Sequence, residues 1–172
     1  DERRANYLTI IESHVKSLGT ASRTLLELGR LEAGRLTVHP RRMDLAALAR
    51  AAAGRLEVLW TRKGQTLALE LPEGPVWVEG DPDALSLVAS NLIGNAVKYT
   101  PEKGRITVRV EAEGPGARLS VADTGIGIAP EDQARIFSGY FRTDEGKKAA
   151  KGFGVGLALT QALVSAHGAE LK

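Results

Sequence analysis

The chain has no cysteine, a single methionine and only three asparagines, Asn6, Asn91 and Asn95. Without cysteine there is no disulfide and no thiolate metal site. No apolar run approaches the roughly 18 residues that a membrane span needs, and no signal-peptide pattern is visible. A net charge of +2 gives no case for nucleic acid or for a membrane surface as partner. The three histidines, His14, His39 and His167, have no second histidine or acid pair at metal-ligand spacing. What is present is ordinary for a globular protein, and 172 residues suit one compact domain with an appendage.

In chain order, residues 1 to about 33 predict one long helix. Leu8, Ile11, Val15, Leu18, Ser22, Leu25 and Gly29 recur at alternating spacings of three and four, a narrow stripe suited to a helical bundle. Gly34 suits its C-cap. A short strand is expected over 36–39, followed by a helix from Leu45 to about Arg62 with Asp44 as N-cap. Residues 65–71 alternate apolar and polar, and 76–79 form another short strand. Asp81-Pro82 is an N-cap followed by proline at the first helical position, so a helix begins there and runs to Tyr99. Residues 105–113 and 117–123 predict two strands joined as a hairpin by Gly114-Pro-Gly116. A short helix is expected over 130–136, a loop over 137–151 and a last helix over 154–166.

Three stretches carry chemistry. Asn91 and Asn95 are four residues apart, so their carboxamides share a helix face, with Lys98 and Tyr99 one turn on. Amide oxygens are neutral ligands that can hold Mg²⁺ while phosphates supply the charge. Asp123 ends a strand and precedes Thr124-Gly125-Ile126-Gly127-Ile128, where glycines permit close backbone approach. Gly152-Phe153-Gly154-Val155-Gly156-Leu157 opens an apolar helix, so free amide groups face an anion. It is not the dinucleotide fingerprint, which needs a third glycine where Leu157 stands. Nor is it a P-loop, because Gly146-Lys147 is followed by Lys148.

In this order the three stretches resemble the N, G1 and G2 boxes of sensor histidine kinases. Ile136-Phe137-Ser138-Gly139-Tyr140-Phe141-Arg142 resembles the intervening F box. The resemblance implies a Bergerat-type ATP-binding fold: an α/β two-layer sandwich with helices over a mixed sheet, preceded by a long bundle-type helix. It implies residues 1–35 as the second helix of a dimerisation domain and 36–172 as the ATP-binding domain, its last strand apparently cut short.

By resemblance, Asn95 is the principal Mg²⁺ ligand, Asn91 assists near the phosphates and Tyr99 contacts the nucleoside; Lys98, three residues beyond Asn95, reaches the phosphates on the same face, and Arg142 is the phosphate candidate of a segment that also carries Lys147, Lys148 and Lys151. Asp123 selects adenine. Gly125, Gly127, Ile128, Gly152, Gly154, Val155, Gly156 and Leu157 line the nucleotide. The implied reaction moves the γ-phosphoryl of ATP to a histidine on a dimerisation helix, for relay to a response-regulator aspartate. It also implies a cytoplasmic catalytic portion, a homodimeric parent and no nucleic-acid partner. His14 lacks the acid and proline of an H box and is not expected to be the acceptor. His167 matches a family position where a structural role is expected. Hydrolase relatives have a glutamate where Asn91 stands, and an amide has no useful basicity. The alternative is an ATPase or nucleotide-binding regulatory module of the same superfamily without histidine kinase activity.

Overall fold

The computed structural model describes residues 37–149 and 154–172, together with Gly19, Ser22, Leu26, Gly29 and Ala33. The chain divides into two units, Asp1–Leu36 and Thr37–Lys172. In the first unit Gly19, Ser22, Leu26 and Gly29 are helical, and the Ala33 amide donates to the Gly29 carbonyl at 3.1 Å. The rest of the expected long helix lies outside the described residues.

The second unit opens with residues 37–40 in no regular structure, so the strand expected over 36–39 begins later, at β1 (Arg41–Asp44). Pro40 lacks an amide to give to a ladder, and the His39 amide is taken by the Asp81 carboxylate at 2.9 Å. β1 pairs antiparallel with β3 (Trp77–Gly80), from Arg41 opposite Gly80 to Asp44 opposite Trp77. Asp44 does caps α1 (Leu45–Arg55): its Oδ1 accepts from Ala46 at 3.0 Å and also from the Val76 amide at 2.9 Å. One carboxylate thus starts a helix and ties it to the entry of β3.

The helix expected to reach Arg62 is interrupted. α1 ends at Arg55 and α2 covers Glu57–Arg62, with Leu56 between them at φ −101°, ψ 3°. Gly54 weakens the last turn, which tightens as Leu56 donates to the Ala53 carbonyl. β2 (Thr66–Glu70) then runs parallel to β4 (Arg105–Glu113), and β4 runs antiparallel to β5 (Gly116–Asp123). The three-stranded sheet is therefore mixed, in the order β2-β4-β5, and separate from the β1-β3 pair.

Along β4 the side chains alternate as a half-buried strand requires. Ile106, Val108 and Val110 are buried while Arg105, Arg109 and Glu111 are exposed. The buried face meets α1 and α3 (Pro82–Tyr99), with Ala49, Ala52, Ala89 and Ile93 fully enclosed between the layers. Alanine at these contacts lets the helices approach closely, and Arg55 on α1 bridges to Ser86 (2.7 Å) and Ser90 (3.2 Å) on α3. The result is the expected two-layer α/β sandwich.

α3 starts as its sequence requires: Asp81 Oδ1 accepts from Asp83 and Ala84, and Pro82 fills the first position. Beyond β5, α4 covers only Pro130–Gln133, shorter than expected, and gives way to turns. The segment expected as loop contains a one-and-a-half-turn helix, α5 (Asp144–Ala149). Thr143 caps it, accepting from the Gly146 amide at 2.9 Å, and Lys147 pairs with Asp144. α6 covers Gly156–Ala166, starting two residues late because Gly154 sits at φ +72°, which a right-handed helix cannot use.

Candidate functional site

The site is built on the C-terminal half of α3. Asn91, Asn95, Lys98 and Tyr99 are all half-buried there. Asn91 Nδ2 donates to Thr160 Oγ1 of α6 at 2.7 Å, and its carboxamide lies against the Cα of Gly156. A Cβ at position 156 would collide with Asn91 Oδ1 and stand 2.9 Å from Nδ2. Asn95 has no hydrogen-bond partner among the described residues, so its carboxamide is left for something else. The Lys98 ammonium stands 4.8 Å over the Tyr99 ring.

The end of α3 is held by two side chains that sequence reasoning did not single out. Lys63 Nζ donates to the carbonyls of Val97 (2.8 Å), Lys98 (3.1 Å) and Thr100 (2.8 Å). Buried Gln65 Nε2 donates to those of Val97, Thr100 and Pro101 at 2.7–3.2 Å. A cation at a helix C-terminus satisfies the orphan carbonyls and suits the helix dipole. No local pattern announces this, because the partners lie 32 to 37 residues further on.

Asp123 ends β5, opposite Ile106. Its Oδ1 accepts from the Gly125 amide at 2.7 Å and from the hydroxyl of buried Thr100 at 3.4 Å. The carboxylate is thus oriented from one side while its residue remains exposed. Gly125 packs on the end of α3: a Cβ there would strike Asp123 Oδ1 and lie 2.9 Å from the Tyr99 carbonyl. The Ile126 amide donates to that same carbonyl at 3.4 Å. Gly127 takes φ +70°, and Ile126 and Ile128 stay exposed on either side of it. An open cavity of about 340 Å³ is lined by Ile126, Gly127, Ile128 and Ala129 on one side and Thr143 and Glu145 on the other. That volume is within the range of small-molecule sites.

The remaining wall joins the aromatic segment to the start of α6. The Tyr140 amide donates to the Gly154 carbonyl at 3.0 Å, with Tyr140 itself at φ +66°. A Cβ on Gly154 would lie 2.6 Å from the Phe141 carbonyl, so only glycine fits there. Phe141 stacks beneath the Arg135 guanidinium at 4.2 Å. Arg142 is half-buried and donates to the Gly146 carbonyl at 2.6 Å, tying it to α5. Val155 is buried, Leu157 is half-buried, and the first turn of α6 receives no side-chain cap. Its amide groups remain available to an anion. Gly152 lies outside the described residues.

The structure therefore brings Asn91 of α3 against Gly156 and Thr160 of α6, while Asn95 and Lys98 follow on α3 and Tyr99 at its end meets Gly125 and Gly146. Asp123, Gly125, Gly127 and Ile128 stand at the end of β5 beside the same helix. Two hydroxyls, Thr100 and Thr160, were missed as members of this group. Thr160 is polar like Gln161 and Ser165 on the same helix, and only its burial beside Leu159, Leu163 and Val164 sets it apart. No cluster of three or more His, Cys, Asp or Glu suited to a metal occurs among the described residues. No helix among them is long and apolar enough to cross a membrane.

The family model described as histidine kinase-, DNA gyrase B- and HSP90-like ATPase matches residues 80–172. The chain is 32% identical over 170 residues to the histidine protein kinase DivJ of Caulobacter vibrioides, covering 99% of this chain and 28% of that one. It is 31% identical over 163 residues to the adaptive-response sensory kinase SasA of Trichormus variabilis, covering 94% and 40% respectively. Full-length ShkA, solved in complex with AMPPNP, superposes with a TM-score of 0.77 at 31% identity, covering 98% of this chain and 35% of that one. The catalytic domain of the histidine kinase ThkA gives a TM-score of 0.67 at 26% identity, covering 75% and 83%. The chain spans 28–40% of the length of the two sequence relatives. With that match and that architecture, the chain belongs to the histidine kinase-, DNA gyrase B- and HSP90-like ATPases and carries their ATP-binding domain in the form found in sensor histidine kinases.

Proposed function

We propose that this chain is the ATP-binding catalytic part of a sensor histidine kinase, with residues 1–35 as the second helix of its dimerisation domain and 36–172 as the catalytic domain. Asp123 accepts from the adenine amine, and Gly125, Gly127 and Ile128 let the base approach the backbone. Tyr99 contacts the nucleoside. Lys98, Arg142 and the amide groups of Gly152, Gly154, Val155, Gly156 and Leu157 meet the phosphates. Support comes from the oriented carboxylate of Asp123 and the uncapped first turn of α6.

The donor set fits Mg²⁺ arriving with a nucleotide. Asn95 offers a carboxamide oxygen with no competing partner among the described residues, Asn91 offers a second one four residues earlier, and among the described residues no carboxylate cluster stands ready to hold the ion alone. Bound there, the ion would neutralise charge on the phosphates. The chain's own residues bind and orient the nucleotide. The bond from the γ-phosphorus to the β-phosphate oxygen breaks, a phosphorus–nitrogen bond to an imidazole forms, the imidazole proton leaves, and ADP is released. The phosphoryl then passes to a carboxylate oxygen of a response-regulator receiver domain. The catalytic portion works in the cytoplasm, in a homodimeric parent.

The observation that carries the kinase reading over a hydrolase is Asn91. Hydrolases of this superfamily have a water-activating glutamate at that place, and a carboxamide held against Thr160 cannot take a proton from water. The acceptor is a histidine in an H box. His167 is not available, since both ring nitrogens are engaged by Leu163 and Asp81. The test is γ-labelled ATP with Mg²⁺, this chain, and a separately supplied helical hairpin carrying His-acid-x-x-x-Pro. Acid-labile label should appear on the hairpin histidine, none on this chain, with little free phosphate. Label on His14, or rapid phosphate release, would overturn the reading.

A further inference from the structure

We infer that Thr160 is a positioning residue for Asn91, and that Gly156 and Thr160 together form a seat on α6 for that carboxamide. The inference rests on the nucleotide-site reading above. Positions 156 and 160 are one helical turn apart and so share a face. On that face the Asn91 carboxamide is confined from two directions. Thr160 Oγ1 accepts from Nδ2 at 2.7 Å, and the carboxamide fills the space beside Gly156 that a Cβ on that residue would need.

Thr160 is 2% exposed in a helix whose other buried residues, Leu159, Leu163 and Val164, are apolar. A buried hydroxyl in such a stripe is costly without a partner, and Asn91 supplies one. Because Nδ2 is committed to Thr160, Oδ1 is the atom left to accept, beside the first turn of α6. Asn95 has no such seat on the described residues. The two carboxamides therefore differ in kind. Asn91 is preorganised by α6, whereas Asn95 has to be ordered by what it binds. Gly156 then serves the seating of Asn91 as well as the approach of a phosphate, and α6 fixes one member of the α3 donor set before nucleotide arrives.

Preorganisation of this sort acts on the metal-dependent part of binding and leaves the base contacts at Asp123 untouched. The experiment compares ADP affinity of the full chain with Mg²⁺ and with EDTA, for wild type, Thr160→Val, Thr160→Ser and Thr160→Ala, alongside the Asn91 side-chain amide signal by NMR. Thr160→Val should weaken Mg·ADP about three- to tenfold, the worth of one neutral hydrogen bond, and leave metal-free ADP within about twofold. Thr160→Ser should restore wild-type behaviour, and the Asn91 amide protons should lose their exchange protection only in the Val and Ala variants. Thr160→Ala stands in if Thr160→Val fails to fold. Equal weakening with and without Mg²⁺, or no change in either, would overturn the proposal and leave Thr160 a packing residue. If the wild type bound no ADP at all, the nucleotide reading would fall, while the Asn91 amide signal would still report whether the seat exists.

Discussion

The imidazole of His167 accepts the Asp81 amide on Nε2 at 3.0 Å, while its Nδ1 lies 2.7 Å from the Leu163 carbonyl. The ring therefore links the last turn of α6 to the N-cap of α3, with Nδ1 as donor and Nε2 as acceptor. Gly80 leaves room for Leu85, which a Cβ there would strike, while the ring would stand at an ordinary contact distance of 3.6 Å. The two helices that frame the nucleotide site are thus joined at the ends remote from it. His167→Ala should destabilise the chain by about 1–3 kcal/mol, the usual cost of leaving a partly buried amide unpaired. Urea denaturation measures it, and an unchanged midpoint would remove His167 from the framework.

Asp81 makes a second prediction, in pH. Burial alone would raise its carboxyl, but the amide groups of His39, Ala84 and Asp83, which donate to it, outweigh this and hold the group below its ordinary value. A carboxyl depressed on folding contributes stability that is fully present above its unfolded value of roughly 3.9 and is lost as pH falls through the folded value. Wild type should therefore exceed Asp81→Asn in stability at neutral pH, and the gap should close below about pH 4. A gap of constant size down to pH 2–3 would show that the charge of Asp81 is not what caps α3.

Replacing Asp123 with Asn tests base recognition. The Gly125 amide and the Thr100 hydroxyl both donate to Oδ1 and would still orient an amide oxygen there. The other position would then carry an NH₂ facing the adenine amine, donor against donor. Hydrogen bonds to charged groups contribute roughly 1.5–3 kcal/mol, so ADP affinity should fall by about one to two orders of magnitude. Calorimetry decides it; equal affinity in the two proteins would free Asp123 from this role.

At the other end of α3, Lys63→Met keeps most of the side-chain volume and removes three donors from the Val97, Lys98 and Thr100 carbonyls. The chain should lose about 1–3 kcal/mol, with Gln65 retaining part of the cap. Melting at high salt discriminates the cause. A screened surface charge would lose its effect there, whereas this half-buried contact should keep it.

The local rules that set single elements were readable along the chain. Asp44, Asp81 and Pro82 start helices, Ile106, Val108 and Val110 alternate inward, and Gly114-Pro115 turns a hairpin, because each depends on neighbours within a few residues. The motifs of Asn91, Asp123 and Gly154–Leu157 were readable for the same reason: spacing along one helix or one turn fixes which atoms face the same way. What only the tertiary structure decided are the contacts across elements. Lys63 and Gln65 on α3, His167 on Asp81, Thr160 and Gly156 on Asn91, and Gly154 on Tyr140 and Phe141 join residues from 13 to 86 positions apart. Gly154 shows the division most plainly. Its sequence suggested a phosphate loop and the start of a helix, yet its φ of +72° and its packing on the Phe141 carbonyl put it outside α6, because a backbone from another segment occupies the space a side chain would need.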